Sequence, residues 1–198
     1  MNFPNSLTVM RIILGLALPF LLVYGTTSVQ IIACFIFVFG TFTDWLDGWY
    51  ARKYKLVTTL GKILDPIADK IMVLGSFITF AVLGMYSIWL IIPIALRELV
   101  ITVYRLIFLR DKKVVAAAQS GKIKTAVQMA TLGFLYIYFI YRKIYLGEET
   151  FRQWLMPDGL MYFLLFLSVV LTLYSGYQFF TKNWKLVKNT TIKMMSDF

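Results

Sequence analysis

Asp44-Trp45-Leu46-Asp47-Gly48-Trp49-Tyr50-Ala51-Arg52 is followed, after a gap of eight residues, by Gly61-Lys62-Ile63-Leu64-Asp65-Pro66-Ile67-Ala68-Asp69. These 26 positions hold four of the ten acidic residues of a 198-residue chain that is 60% hydrophobic. Read as helices, both halves are one-sided. Positions 44, 47, 48 and 51 follow i, i+3, i+4, i+7 spacing, and 61, 65 and 69 recur at i, i+4, i+8. The first helix presents two carboxylates beside Gly48 and Ala51, which leave room for a ligand, and the second presents Gly61 and two more carboxylates. The short link between them lets the helices pack antiparallel, with all four carboxylates near one end. Like charges at close range in a low-dielectric site raise one another's pKa, so such a cluster stays ionised only with a cation. The chain has no His and one Cys, and hard oxygen ligands point to Mg2+ or Mn2+ rather than Zn2+ or copper.

The surrounding sequence sets this cluster in a membrane. Mean hydropathy is +0.74, and the length suits about six crossings of roughly 20 residues each. The expected fold is therefore an all-α integral membrane protein with six transmembrane helices, in one domain over residues 1–198. Arg11 precedes an apolar run to residue 24 that lacks a convincing cleavage motif, which predicts an uncleaved first span with a short N-terminal interfacial segment in front. Further spans are expected near 29–51, 61–83 with a kink at Pro66, 88–109, 124–141 and 159–180, and residues 142–158 read as a mixed-charge loop. Basic residues concentrate after the second and fourth spans and in the tail at Lys182, Lys185 and Lys188, while turns 25–28 and 84–87 carry no charge. The positive-inside rule then puts both termini and the aspartates on the cytoplasmic side of the cell membrane. Trp45, Trp49, Trp89, Trp154 and Trp184, near span ends, read as interfacial anchors.

A net charge of +10 raises the question of nucleic acid, but the basic residues sit at the ends of apolar segments and form no aromatic-interleaved patch. Anionic membrane lipids and phosphorylated substrates are the natural partners. Cys34 lies inside an apolar run and, being alone, excludes an intrachain disulfide.

The spacing D-x2-D-G-x2-A-R-x8-G-x3-D-x3-D resembles the signature of the CDP-alcohol phosphatidyltransferase family at all eight fixed positions. At ordinary residue frequencies a chance match at a given start is on the order of 10^-10, which disfavours reading these residues as helix-end acids solvated at the membrane surface. The resemblance implies that Asp44, Asp47, Asp65 and Asp69 bind two divalent cations, Mg2+ or Mn2+, and that Asp69 also serves as the base. It further implies that Asp44, Gly48, Ala51 and Gly61 line the cytidine nucleotide site, that Arg52 meets the pyrophosphate of CDP-diacylglycerol, and that the protein is a homodimer. Within the family the likeness is greatest to members that transfer the phosphatidyl group to sn-glycerol 3-phosphate and release CMP. That finer likeness rests on Pro4-Asn5-x-Leu7-Thr8-x-x-Arg11, Arg97-Glu98 and Gly121-Lys122-x-Lys124-Thr125-x-x-Gln128. Plainer roles for these residues are a helix entry at Thr8, an intramembrane ion pair between Arg97 and Glu98, and positive-inside charge at Lys122 and Lys124.

Arg97 and Arg105 share a helical face, and Lys122 and Lys124 open the next span at its cytoplasmic end. These four cations are expected to bind the acceptor's phosphate beside the aspartates, because arginine offers a bidentate fork and lysine a point charge. Phosphatidylglycerol, serine or an inositol compound would be other acceptors within the family. A cation transporter would instead place its acids at the bilayer midplane between repeated halves, and no repeat is evident in the sequence. An assembly subunit without catalysis would have no use for the intact motif.

Overall fold

The computed structural model describes residues 3–54, 59–111, 119–153 and 159–196. They form six long helices, α1 (Phe3–Tyr24), α2 (Thr27–Lys53), α3 (Thr59–Val82), α4 (Ile92–Arg110), α5 (Gln119–Gln153) and α6 (Gly159–Ser196), with a single 3-10 turn at Ile88–Leu90 before α4. The described residues contain no strand.

Helix ends follow local chemistry. Gly84 closes α3 with φ 79°, a left-handed conformation that suits glycine. Its N–H reaches the Ala81 carbonyl at 3.0 Å and the Met85 N–H reaches Phe80 at 3.1 Å, the paired bonds of a Schellman motif. Between α1 and α2 the buried Gln30 side chain donates to the Leu22 carbonyl at 2.8 Å and so satisfies one of the last acceptors of α1.

α3 packs against α1, α4 and α5, α2 lies on α1 and α5, and α6 lies on α4 and α5. The α1–α3 crossing is close because it is made at small residues. A Cβ on Gly15 would lie 3.1 Å from Ile71 Cγ2 and 3.4 Å from the Met72 backbone, and one on Gly75 would touch the Gly15 carbonyl at 3.9 Å. Gly40 of α2 lies directly under the Met72 side chain. The core gathers around Tyr136, which stacks on Phe37 at 4.5 Å, meets Phe80 edge-on at 4.8 Å and shares a 2.9 Å hydrogen bond with Ser76. α5 and α6 are joined by polar rungs, Ser120 to Gln178 at 2.9 Å, Gln128 to Thr172 at 3.0 Å and Thr131 to Ser168 at 3.0 Å. Beyond them the far end of α6 folds onto α4. There Phe179 and Val187 pack with Ile101 and Phe108, and the Tyr104 and Thr191 hydroxyls meet at 2.8 Å.

The outer faces are apolar: Ile13, Phe20, Phe35, Val103, Ile137 and Phe166 all point away from the bundle. In water this surface would drive aggregation, and in a bilayer it faces lipid. Among the described residues four helices, α1, α2, α5 and α6, are long and apolar enough to cross a membrane, and the chain is a membrane protein. The other two interrupt their apolar stretches with charge, Lys62, Asp65, Asp69 and Lys70 in α3 and Arg97, Glu98, Arg105 and Arg110 in α4.

Three boundaries differ from the sequence reading. The interfacial segment expected before Arg11 is not a separate element, because α1 runs unbroken from Phe3 and Pro4 sits in its first turn, where no N–H is needed. The loop expected over 142–158 is helical as far as Gln153, and the last span continues past 180 to Ser196. Hydropathy marks where a helix leaves lipid, whereas Arg, Lys and Glu sustain a helix well beyond that point. α6 departs from helical geometry only at Asn183 (φ −114°, ψ 17°), whose side chain donates to the Phe179 carbonyl at 2.9 Å. α3 continues as one helix through Pro66.

Gly15→Leu would force bulk into the α1–α3 crossing at a cost of about 1–3 kcal/mol. The expected outcome is a lower unfolding midpoint in detergent. Gly133→Ala, where an added Cβ meets nothing within 4 Å, should leave that midpoint unlowered or slightly raised.

Candidate active site

Helical periodicity brings the end of α2 and the start of α3 to one side of the bundle, and α1 braces both. Thr8 and Arg11, one turn apart on α1, point at them. The Thr8 hydroxyl donates to Asp65 Oδ1 at 2.8 Å, and Arg11 Nη1 donates to Asp44 Oδ1. Arg11 is only 1% exposed while the Asp44 side chain remains 47% exposed, so the arginine holds the carboxylate from behind and leaves it open to the cavity. Asp69 Oδ2 accepts from Lys70 Nζ at 2.6 Å.

α4 and α5 build the opposite wall. Glu98 is 2% exposed and accepts from Arg97 Nη1 at 2.9 Å and Lys124 Nζ at 2.5 Å, both on Oε1, and from Lys70 Nζ at 3.0 Å on Oε2. A buried carboxylate is tolerated only where cations meet it, and here it meets three. Arg97 is fixed further by a 2.7 Å bond from Nη2 to Ser175 Oγ, and Gly176 makes room for its stem, since a Cβ there would lie 3.1 Å from Arg97 Cγ. Arg105 and Lys122 are exposed, and the Arg105 guanidinium lies 5.8 Å from the Phe179 ring centre.

Between the walls lies a cavity of about 750 Å³. Asp44, Asp65 and Asp69 line it on one side and Arg97, Arg105, Lys122 and Lys124 on the other. Seven residues expected from the sequence to act together therefore share one space. Gly48 and Gly61 belong to the expected nucleotide face but are not among the residues lining this cavity. The side chains of Asp47, Ala51 and Arg52 lie outside the described residues.

Among the described residues no three acidic side chains converge closely enough to hold a metal ion. The donor chemistry nevertheless fits a hard divalent cation, since three carboxylates, all oxygen donors, face one cavity. Lys70, Ser175 and the triple engagement of Glu98 were not foreseen from the sequence. The adjacency of Lys70 to Asp69 was the available signal for the first. Thr8 is not a helix entry, because it lies inside α1 and its hydroxyl is bonded to Asp65.

The sequence profile of the CDP-alcohol phosphatidyltransferase family matches residues 1–176. The chain is 34% identical over 202 aligned residues to the CDP-diacylglycerol–glycerol-3-phosphate 3-phosphatidyltransferase of Bacillus subtilis, covering 96% of this chain and 98% of that one. The enzyme of the same name from Yersinia enterocolitica is 32% identical, with 93% and 96% covered. The one from Haemophilus influenzae is 36% identical, with 67% and 74% covered. A profile that spans most of the chain, two relatives matched along nearly their whole length and an intact aspartate motif lead to one conclusion: this protein belongs to the CDP-alcohol phosphatidyltransferase family.

Proposed function

We propose that this protein transfers the phosphatidyl group of CDP-diacylglycerol to sn-glycerol 3-phosphate, giving phosphatidylglycerophosphate and CMP. The observation that carries this reading is the single cavity in which a carboxylate wall faces a cationic wall. An acidic wall suits a cation-bound pyrophosphate, and a cationic wall suits an acceptor that is itself phosphorylated. The names of the relatives, which specify glycerol 3-phosphate, support the same acceptor.

In this reading the lipid substrate stays in the bilayer while its headgroup enters the cavity. Gly48, Ala51 and Gly61 leave space for the cytidine nucleotide, and Arg52 meets the pyrophosphate. Asp44, Asp47, Asp65 and Asp69 hold two divalent cations, Mg2+ or Mn2+, which when bound neutralise pyrophosphate charge. Arg105 and Lys122, exposed at the cavity, bind the acceptor's phosphate, with Arg97 and Lys124 behind them on Glu98. The acceptor hydroxyl is thereby aimed at the phosphorus that bears the diacylglycerol. Asp69 takes the hydroxyl proton, the new oxygen–phosphorus bond forms, and the bond to CMP breaks. Lys70, bonded to Oδ2, fixes the orientation of the Asp69 carboxylate.

The topology follows from the same logic. α3 and α4 complete six crossings, with their charges turned toward the cavity instead of lipid. The distribution of Lys and Arg puts both termini and the cavity on the cytoplasmic face of the cell membrane. Anionic lipids at that face and a second copy of the chain, making a homodimer, complete the set of partners. The homodimer rests on family resemblance alone.

A test of the reaction is CMP release by purified protein given CDP-diacylglycerol, Mg2+ or Mn2+ and a panel of alcohols. Glycerol 3-phosphate is expected to be used and glycerol and serine to be ignored, and equal use of glycerol would remove the reason for a cationic wall. Chelator should abolish turnover and added Mg2+ or Mn2+ restore it. Asp44→Asn and Asp65→Asn should each lower turnover by orders of magnitude with an unchanged circular dichroism spectrum. Near-normal turnover in chelator would sink the metal role.

The acceptor site is tested separately. Arg105→Ala and Lys122→Ala are expected to raise KM for glycerol 3-phosphate roughly 10-fold or more, the scale of one lost charge-assisted hydrogen bond. KM for CDP-diacylglycerol should hardly move. An unchanged glycerol 3-phosphate dependence would place the acceptor elsewhere.

A further inference from the structure

Glu98 joins three cations that come from three helices. Lys70 belongs to α3, Arg97 to α4 and Lys124 to α5, and all three line the cavity. Without a counter-charge they would repel one another, and their long side chains would swing toward water. Glu98 itself lines the cavity but is only 2% exposed, so it is in full contact with the cations and almost hidden from the cavity's contents. Lys70 extends the connection, since its Nζ also lies 2.6 Å from Asp69 Oδ2 and ties the acidic wall to the cationic one.

Building on a phosphorylated acceptor as the substrate, we infer that Glu98 is a positioning residue. It does not touch the acceptor; it fixes Lys70, Arg97 and Lys124 so that the cationic wall exists before the phosphate arrives. Such preorganisation lowers the ordering cost that binding would otherwise bear. The opposite role would be competition, in which a carboxylate on the cations weakens their hold on phosphate and its removal tightens binding. The two roles predict opposite signs. The near-complete burial of Glu98 and the second anchor of Arg97 on Ser175 at 2.7 Å favour positioning.

The experiment uses the full chain in detergent, scored by CMP release, with KM measured separately for glycerol 3-phosphate and CDP-diacylglycerol. Glu98→Gln keeps the size and removes the charge. It is expected to raise KM for glycerol 3-phosphate about 10-fold or more and to leave KM for CDP-diacylglycerol within about twofold, while kcat also falls because Lys70, freed from Glu98, no longer holds Asp69 in place. Glu98→Asp should recover part of the loss. An unchanged or lowered glycerol 3-phosphate KM overturns the inference, as does a parallel rise of both KM values that aspartate does not relieve. If Glu98→Gln fails to fold, Glu98→Asp decides, because the shorter side chain keeps the charge but cannot reach all three cations at once. A selective rise in glycerol 3-phosphate KM supports positioning, and no rise overturns it. A wild type that is inactive with glycerol 3-phosphate overturns the functional reading and this inference together. An active wild type with unaffected variants overturns this inference alone.

Discussion

Taking an ion out of water into an apolar bundle costs several kcal/mol unless an opposite charge meets it in good geometry. That constraint governs how the helices are arranged around the cavity. Glu98 is met by Lys70, Arg97 and Lys124, Asp44 by Arg11, and Asp69 by Lys70. Each partnership crosses between helices or ties neighbouring residues to one that does. The charges therefore act as cross-links between α1 and α2, and among α3, α4 and α5, at the end of the bundle where the aspartates lie.

The same constraint explains why small residues gather where they do. Charged side chains meet across helices only if the backbones come close, and Gly15, Gly75 and Gly40 permit that approach for α1, α2 and α3. Gly176 does the same for the stem of Arg97. Away from the cavity, cohesion passes to aromatic packing around Tyr136 and to the hydroxyl and amide rungs between α5 and α6. The apolar outer faces, by contrast, stay exposed among the described residues and are turned toward lipid.

Much of the site was legible in the sequence because helical periodicity is local information. The spacing of Asp44 and of Asp65 with Asp69 assigns each to a face, and the sharing of a face by Arg97 and Arg105 follows from eight intervening steps along one helix. What could not be read is which distant side chain supplies each counter-charge. Arg11 lies 33 residues from Asp44, and Thr8 lies 57 from Asp65. Those pairings depend on how α1 is laid across α2 and α3. The helix lengths were also illegible, since apolar runs report only the part of α5 and α6 that lipid surrounds. The 38 residues of α6 span about 57 Å at 1.5 Å per residue, against a hydrocarbon core of ~30 Å.

That surplus length has a mechanical meaning. Past Asn183, α6 lies along α4, where Val187 joins Ile101 and Phe108 and Thr191 meets the hydroxyl of Tyr104. Tyr104 is the immediate neighbour of Arg105, and Phe179 both belongs to that packing and sits beneath the Arg105 guanidinium. The tail of the chain is thus a splint on the cavity's outer wall. It contributes no reactive group, yet it limits how far an exposed arginine can stray from the space in which a phosphate would be held.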